Sequence, residues 1–190
     1  MNHAASAEMT SPALNPDDVL ADWQAKEARV RAAIQQEPGI ARREQLAGLN
    51  GQMQLQAMID GHLPPPPIAL TLDFILLQVE RGQAVFQGRP LLKHYNPLGT
   101  VHGGWFATLL DSALGCAVHS AMELGQSYTT LEFKVNLVRA LTEKVPLVRA
   151  IGTLTHLGRQ TATAEARLVG HDGRLYAHAS TTCLIFNPQP

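Results

Sequence analysis

The second half of the chain alternates apolar and polar residues with the period of two that is typical of β-strands. Within residues 129–137, four apolar side chains alternate with Glu132, Lys134 and Asn136, which predicts a strand with one apolar face. The dipeptide Asp172-Gly173 is a strong signal for a hairpin turn before the last strand. Four strands are therefore predicted in this half, at 129–137, 145–155, 160–169 and 175–186.

A helical run precedes these strands at residues 103–123, and its apolar side chains occupy most of the circumference. A helix that is apolar nearly all round is a buried helix. Two more strands are predicted before it, at 68–80 and 84–89. An antiparallel sheet that curls around one long buried helix satisfies this order, so the predicted class is α+β. A row of three alanines in the strand at 160–169 suits a sheet that a helix approaches closely.

The chain before residue 68 reads as helical. Asn15 and Pro16 supply a cap and a first-turn proline for a helix that ends before Pro38, and a second helix is predicted over 42–60. Four consecutive prolines, 64–67, then break the helical pattern. The helices serve either as an arm that binds a partner or as an elaboration packed on the main domain, and we favour the second. The predicted regions are a flexible tail with a helical extension, 1–62, and the main domain, 63–190.

Composition narrows the class of protein. Hydrophobic residues make up 45% of the 190 positions, enough for a packed core in one domain with an extension. The net charge of -1, without a basic stripe, argues against nucleic acid and anionic membrane surfaces as main partners. Neither a secretory signal nor a run of about 18 apolar residues is visible, so we expect a cytoplasmic location. The two cysteines are expected to be buried free thiols.

The stretch NPLGTVHGGWFATLLDSALG, residues 96–115, combines features that point to chemistry. Gly103 and Gly104 enter the buried helix, where unpaired N–H groups and the helix dipole favour negative charge. Such a helix tip can serve as an oxyanion hole for a thioester carbonyl. Asp111 follows about two turns later on a face similar to that of Gly104. Its carboxylate could attack a substrate directly, accept a proton from water, or simply be a buried structural acid.

This stretch resembles the PaaI-like hotdog-fold acyl-CoA thioesterases of phenylacetic acid degradation, whose signature is an Asn, a short loop, His-Gly-Gly and then an Asp on the central helix. The resemblance extends from about Leu46 or Pro64 to the C-terminus. It implies a hotdog fold and a hydrolase that converts an acyl-CoA to a free acid and CoA. It implies neither a cofactor nor a metal.

Carried over residue by residue, the resemblance implies that Asp111 is the general base or nucleophile. Gly103 would give the oxyanion N–H, and His102 would shape its loop. Asn96 would hold the thioester or the attacking water, and a hydroxyl on the next strand, matched by Thr130, would orient that water. The family's sites lie between two subunits of a homodimer or homotetramer. Asp111 and Thr130 would therefore face Gly103 and Asn96 of the partner chain.

Thr130 fits this scheme only if the strand is irregular. Strict alternation places Thr130 on the face of Glu132 and Lys134, away from the apolar set, unless a bulge turns it. Thr129 is the alternative hydroxyl.

Four further residues are candidates for binding the substrate. Gly104 allows close approach to the helix tip. Arg139, Arg159 and the backbone of Gly158 lie at predicted strand ends and could hold the phosphates of the coenzyme, although solvated surface arginines are the simpler interpretation.

No metal site is predicted, because the spacing of Cys116 and His119 supplies only two ligands. Two other functions stay open. One is a hotdog hydratase or dehydratase, against which the position of His102 before Gly-Gly argues. The other is a non-catalytic protein that binds or senses acyl-CoA.

Overall fold

Six strands, five α-helices and one short 3-10 helix (Leu92–His94) form the regular structure of residues 15–188, the part of the chain that the computed structural model describes. The flexible tail predicted for the N-terminus lies outside this range. The helices are α1 (Pro16–Ala33), α2 (Arg43–Leu46), α3 (Gly51–Ile59), α4 (Pro67–Leu72) and α5 (Gly103–His119). The strands are β1 (Phe74–Glu80), β2 (Gln83–Gly88), β3 (Ser127–Leu137), β4 (Val148–Leu157), β5 (Thr161–Gly170) and β6 (Leu175–Phe186).

All six strands belong to one antiparallel sheet in the order β1-β2-β4-β5-β6-β3, so β1 and β3 are its edges. The sheet packs on α5, which contacts every strand. This arrangement confirms the predicted α+β class. None of the helices between residues 15 and 188 is both long enough and apolar enough to cross a membrane.

The sheet approaches α5 closely because the strand residues beneath the helix are small. Ala162, Ala164 and Ala166 are buried on β5, which confirms the close approach that the alanine row predicted. Gly152 on β4 lies so near the helix that a Cβ there would overlap the carbonyl oxygen of Ala113. Larger side chains from α5, among them Leu109, fill the remaining core.

The helix α5 is buried on most but not all of its surface. One stripe at helical spacing remains only half-buried or exposed in the single chain, because the sheet covers the other sides. Its side chains are small or polar, and we call it the open face of α5. It comprises Gly104, Ala107, Thr108, Asp111, Ser112, Cys116 and His119.

The N-terminal helices pack on the sheet and on α5. This confirms the favoured prediction, an elaboration packed on the main domain. The buried Glu27 of α1 contacts Gln87 of β2, and Arg149 lies 4.2 Å from the ring centre of Trp23. Helix α3 lies against β1 and the end of α5, where Gly51 N donates to Met122 O at 2.9 Å.

Three predicted elements differ from the structure. The helix predicted over 42–60 is interrupted: Gly48 adopts a left-handed φ of 77°, and Asn50 starts α3 by accepting a hydrogen bond from Met53 N. The predicted buried helix ends at His119 instead of residue 123, and a turn follows.

The first strand does not follow the prolines directly. Pro67 instead begins the short helix α4, because proline is already shaped for a first helical turn and its missing N–H costs nothing there. Asp73, with φ of 51°, ends α4 in a left-handed conformation, and β1 begins only at Phe74. Residues 68–72, predicted as strand, are therefore helical.

Candidate active site

Asp111 and Thr130 face each other across the gap between α5 and β3. Thr130 donates from its hydroxyl to Asp111 Oδ1 at 3.5 Å, a long and therefore weak hydrogen bond. The pairing of β3 with β6 is irregular between Thr130 and Glu132, so Leu131 interrupts the alternation. This bulge is the irregularity that Thr130 needs in order to point towards the helix. Thr129, the alternative hydroxyl, is exposed.

The Asp111 carboxyl lies in a half-buried position without a compensating cation. Burial raises its pKa above the ordinary value for aspartate, and the hydrogen bond from Thr130 opposes that rise only in part. The ion pairs formed within residues 15–188 do not include Asp111. A carboxylate with a raised pKa is a stronger base than a solvated one, which suits it to accept a proton near neutral pH.

The tip of α5 presents an unpaired backbone donor at Gly103. His102 is the N-cap residue, and its Nδ1 accepts from Gly104 N at 2.8 Å. Trp105 N donates to His102 O at 2.9 Å. No hydrogen bond within the described range uses the N–H of Gly103, so this group remains available to an oxyanion. His102 thus fixes the loop through its side chain, and the N–H of Gly104 is already occupied.

Asn96 lies in a tight loop next to this tip. The loop is closed by a bridge between Tyr95 and Val101 and by His102 N, which donates to His94 O at 2.8 Å. The Asn96 side chain is engaged within the loop: Oδ1 accepts from Leu98 N at 2.9 Å and from Thr100 N at 3.4 Å, and Nδ2 donates to Thr100 Oγ1 at 3.2 Å. Its second amide hydrogen is the only part left for a ligand.

Within one chain, the acid and the helix tip are too far apart to act on the same atom. Eight residues separate Gly103 from Asp111 on α5, a rise of about 12 Å at 1.5 Å per residue. The structure thus joins Asp111 with Thr130 and joins Gly103 with His102 and Asn96. It does not bring the two groups together in a single subunit.

The remaining candidates divide between the two ends of β3. Arg139 follows the C-terminal end of β3 and donates from its backbone to Tyr176 O. Gly158 and Arg159 form the β4–β5 turn, where Arg159 O accepts from Asn187 Nδ2 just beyond β6. Since Phe186 pairs with the first residue of β3, the two arginines lie at opposite ends of the sheet and are both exposed. One chain cannot place both on one phosphate group.

Two neighbours of Asp111 were not predicted. Tyr128 lies two residues before Thr130 on β3, and a Cβ on Gly115 would lie 2.7 Å from its hydroxyl oxygen. Cys116 lies on the same helix; burial, aided by the Asp111 charge, raises its pKa to about 12. Burial also raises the pKa of Tyr128, so neither group ionises near neutral pH. The two-residue spacing from Thr130 was the signal that could have identified Tyr128.

The described residues contain no group of three or more His, Cys, Asp or Glu side chains that could hold a metal ion. Both cysteines are free; Cys183 is buried, and Cys116 is half-buried.

Comparison with known proteins places this arrangement in a family. A family model described as "Thioesterase superfamily" matches residues 98–177, which run from the loop before α5 into β6. The phenylacetic acid degradation-related protein of Ralstonia eutropha JMP134 is similar in structure, with a TM-score of 0.63 and 28% identity. That match covers 68% of this chain and 98% of the other.

Two further relatives agree. A mutant of the phenylacetic acid degradation protein PaaI from Thermus thermophilus matches with a TM-score of 0.56 and 28% identity, over 62% of this chain and 97% of that one. The 1,4-dihydroxy-2-naphthoyl-CoA hydrolase of Listeria monocytogenes is 24% identical over 115 residues, 60% of this chain and 92% of that protein. These matches confirm the resemblance. Residues 98–177 match the thioesterase superfamily, a family of hydrolases, and the sheet packed on α5 is the hotdog fold of that family.

Proposed function

We propose that this protein hydrolyses acyl-CoA thioesters to a free acid and CoA. The observation that carries the proposal is Asp111, a half-buried carboxyl without an ion pair, whose pKa is raised by burial. Burying an acid without a cationic partner costs folding stability, and a catalytic role would explain why the acid is there. The names of the relatives, a 1,4-dihydroxy-2-naphthoyl-CoA hydrolase and proteins of phenylacetic acid degradation, support an acyl-CoA substrate.

In the proposed reaction, the N–H of Gly103 donates to the thioester oxygen and stabilises the negative charge that develops there. Asp111 accepts a proton from a water molecule while that water attacks the carbonyl carbon. The new C–O bond replaces the C–S bond, and the sulfur leaves as the thiol of CoA after it receives the proton. Thr130 orients the water through its hydroxyl. In the covalent alternative, the Asp111 carboxylate attacks the carbonyl carbon and the C–S bond breaks, so CoA leaves as a thiolate that is protonated by water; hydrolysis of the resulting anhydride then releases the acid and restores the carboxylate.

The separation of about 12 Å along α5 requires that Asp111 and Gly103 act from different subunits. We therefore propose a homodimer, alone or within a tetramer. The edge strand β3 supports this, because its backbone is unpaired on one side and it exposes large apolar side chains. Leu131, Phe133 and Leu137 are 58%, 40% and 55% exposed. Pairing β3 with a second copy would bury them.

The phosphate contacts of CoA belong to the same proposal. Arg139 lies beyond the end of β3 that contacts Gly103 through Leu137, whereas Arg159 lies beyond the end that carries Thr130. In a site formed by two subunits, Arg139 would lie on the side of Gly103, and Arg159 would lie on the side of Asp111 and Thr130. Either one could then provide a planar pair of donors for phosphate.

A thiol-release assay with a panel of acyl-CoAs tests the proposal. Asp111→Asn should lower kcat by about 10²- to 10⁴-fold, the usual contribution of a general base. Asp60→Asn is the matched control, since Asp60 is exposed at the end of α3, and it should retain wild-type turnover. Turnover in Asp111→Asn equal to that of the control would remove Asp111 from this role. Binding of acyl-CoA by the wild type without release of any thiol would favour a sensing protein.

A further inference from the structure

A cavity of about 480 Å³ lies at the C-terminal end of α5, between that helix, β1 and the N-terminal helices. Its volume falls in the range typical of small-molecule sites, which are mostly apolar with a few polar groups. The lining is mainly aliphatic and aromatic. It also contains an ion pair, in which Arg31 Nη2 lies 3.0 Å from Asp73 Oδ1. The apolar lining from the N-terminal helices and their connections comprises Ile34, Pro38, Leu55, Met58, Pro65, Pro66, Ala69 and Leu70.

The N-terminal helices and the segments that connect them supply more than half of this wall, so the sheet and α5 alone would leave it open. On the other side, the cavity is lined by Phe74 and Leu76 of β1 and by Cys116 and His119 of α5. The α5 residues belong to the open face of the helix. His119 is held against α3 through Gln54 Oε1, at 3.1 Å from its Nε2. The extension therefore converts one end of the open face into a partly enclosed apolar cleft.

The cavity lies further along α5, on the side of the helix that carries the candidate catalytic acid. On α5, Asp111, Gly115 and His119 follow one another at intervals of four residues, which places them on one side of the helix. On β3, Thr130 contacts Asp111, and Tyr128 covers Gly115 and also lines the cavity. Since Gly115 has no side chain, the Tyr128 ring occupies the space over it, so an acyl chain would pass beside this ring to reach the cavity. Cys116, the nearest α5 residue in the lining, follows Asp111 by five residues, so the carboxylate and the cavity are about 7.5 Å apart along the axis.

We propose that this cavity receives the acyl group of the thioester and that the N-terminal helices thereby set the substrate class: apolar acyl groups long enough to extend at least about 7.5 Å beyond the carbonyl. The inference rests on the proposed function. An acetyl group is too short to enter the cavity. A medium-chain acyl group reaches it, and each methylene buried there can raise kcat/KM by up to about fourfold.

The test uses a matched pair of substitutions on α3. Met58 lines the cavity, whereas Met53 on the same helix is 49% exposed and does not. In the wild type, kcat/KM should be at least tenfold higher for decanoyl-CoA than for butyryl-CoA. Met58→Trp should reduce that ratio to near one while butyryl-CoA turnover stays within about twofold. Met53→Trp should keep the wild-type ratio. Leu70→Trp, at a cavity position that is 68% exposed and therefore tolerant of substitution, should also lower the ratio.

Calorimetric binding of a thioether analogue of decanoyl-CoA, which is not hydrolysed, separates the two proposals. One outcome is that no thioester is turned over, while the analogue binds and its binding is weakened by Met58→Trp but not by Met53→Trp. That result would refute the proposed function but retain the cavity as the acyl site. Turnover with the same chain-length profile in the wild type, Met58→Trp and Leu70→Trp would refute the acyl site but retain the hydrolase. A wild type that prefers butyryl-CoA would also overturn the inference.

Discussion

Removing the charge of Glu27 should loosen the N-terminal helices from the sheet. The Glu27 side chain is 7% exposed and accepts from Arg31 Nε and Gln87 Nε2, both at 2.7 Å. Burial opposes its ionisation, yet these hydrogen bonds outweigh burial and lower its pKa. The variant Glu27→Gln keeps the shape of the side chain. It replaces one acceptor oxygen with an NH₂ group, which then faces the N–H donor of Arg31 or Gln87.

The magnitude follows from the exposure of the partners. A hydrogen bond to a charged group contributes about 1.5–3 kcal/mol, and breaking a fully buried ion pair costs about 3–5 kcal/mol. Arg31 and Arg89 are 45% and 46% exposed, so water can hydrate them when the carboxylate is lost. We therefore expect the free energy of unfolding to fall by about 2–3 kcal/mol, which lowers Tm by roughly 5–10 °C in a chain of this size.

Thermal unfolding of Glu27→Gln beside Asp22→Asn tests this reasoning. Asp22 pairs with Lys26 on the same helix, but both side chains are about half exposed, at 48% and 46%. Its loss should cost less than about 1 kcal/mol. Because the folded-state pKa of Glu27 is lowered, its contribution is present above the unfolded-state pKa. The difference from the wild type should therefore narrow as the pH falls through the folded-state value. Equal Tm values for the two variants would refute the account of this contact.

Three further results are expected. Burial raises the folded-state pKa of Asp111, so the ionised carboxylate destabilises the fold at higher pH. Asp111→Asn should therefore have a higher Tm than the wild type at pH 8, and this difference should vanish in acid. A lower Tm than the wild type at both pH values would contradict this account. Leu131→Glu should shift sedimentation towards the monomer, whereas Leu92→Glu, at an exposed site outside the sheet, should not. Gly152→Ala should cost about 1–3 kcal/mol or more in urea unfolding, since its Cβ meets the α5 backbone, and an unchanged midpoint would count against that contact.

The fold was largely predictable because the strand and helix periods differ. The alternation in β3 and the apolar circumference of α5 each identify one element, and short turns fix their order. The boundary errors come from backbone conformations that side-chain hydrophobicity does not reveal. Asp73 adopts a left-handed conformation that ends α4, and Gly48 interrupts a pattern that otherwise reads as one helix.

The site was predictable only in part, since spacing along α5 places Asp111 and Gly103 but not their surroundings. The bulge after Thr130, which turns its hydroxyl towards Asp111, depends on the register of β3 against β6. The use of the Gly104 N–H by His102, and of Asn96 Oδ1 by its own loop, depends on local geometry. The cavity wall joins residues from α1, α3 and β1, which tertiary packing alone brings together.

The measurement that tests the central claim most directly is complementation between two inactive subunits. Asp111→Asn removes the acid. Gly103→Pro removes the proposed oxyanion donor at the first helical position, where proline is tolerated and where the extended ψ of 138° at His102 suits a following proline. Each variant alone should be nearly inactive. A purified heterodimer of the two, each with its own affinity tag, should recover about half of the wild-type rate, because one of its two sites combines the intact acid with the intact helix tip. A heterodimer as inactive as its parents would contradict a site shared between subunits.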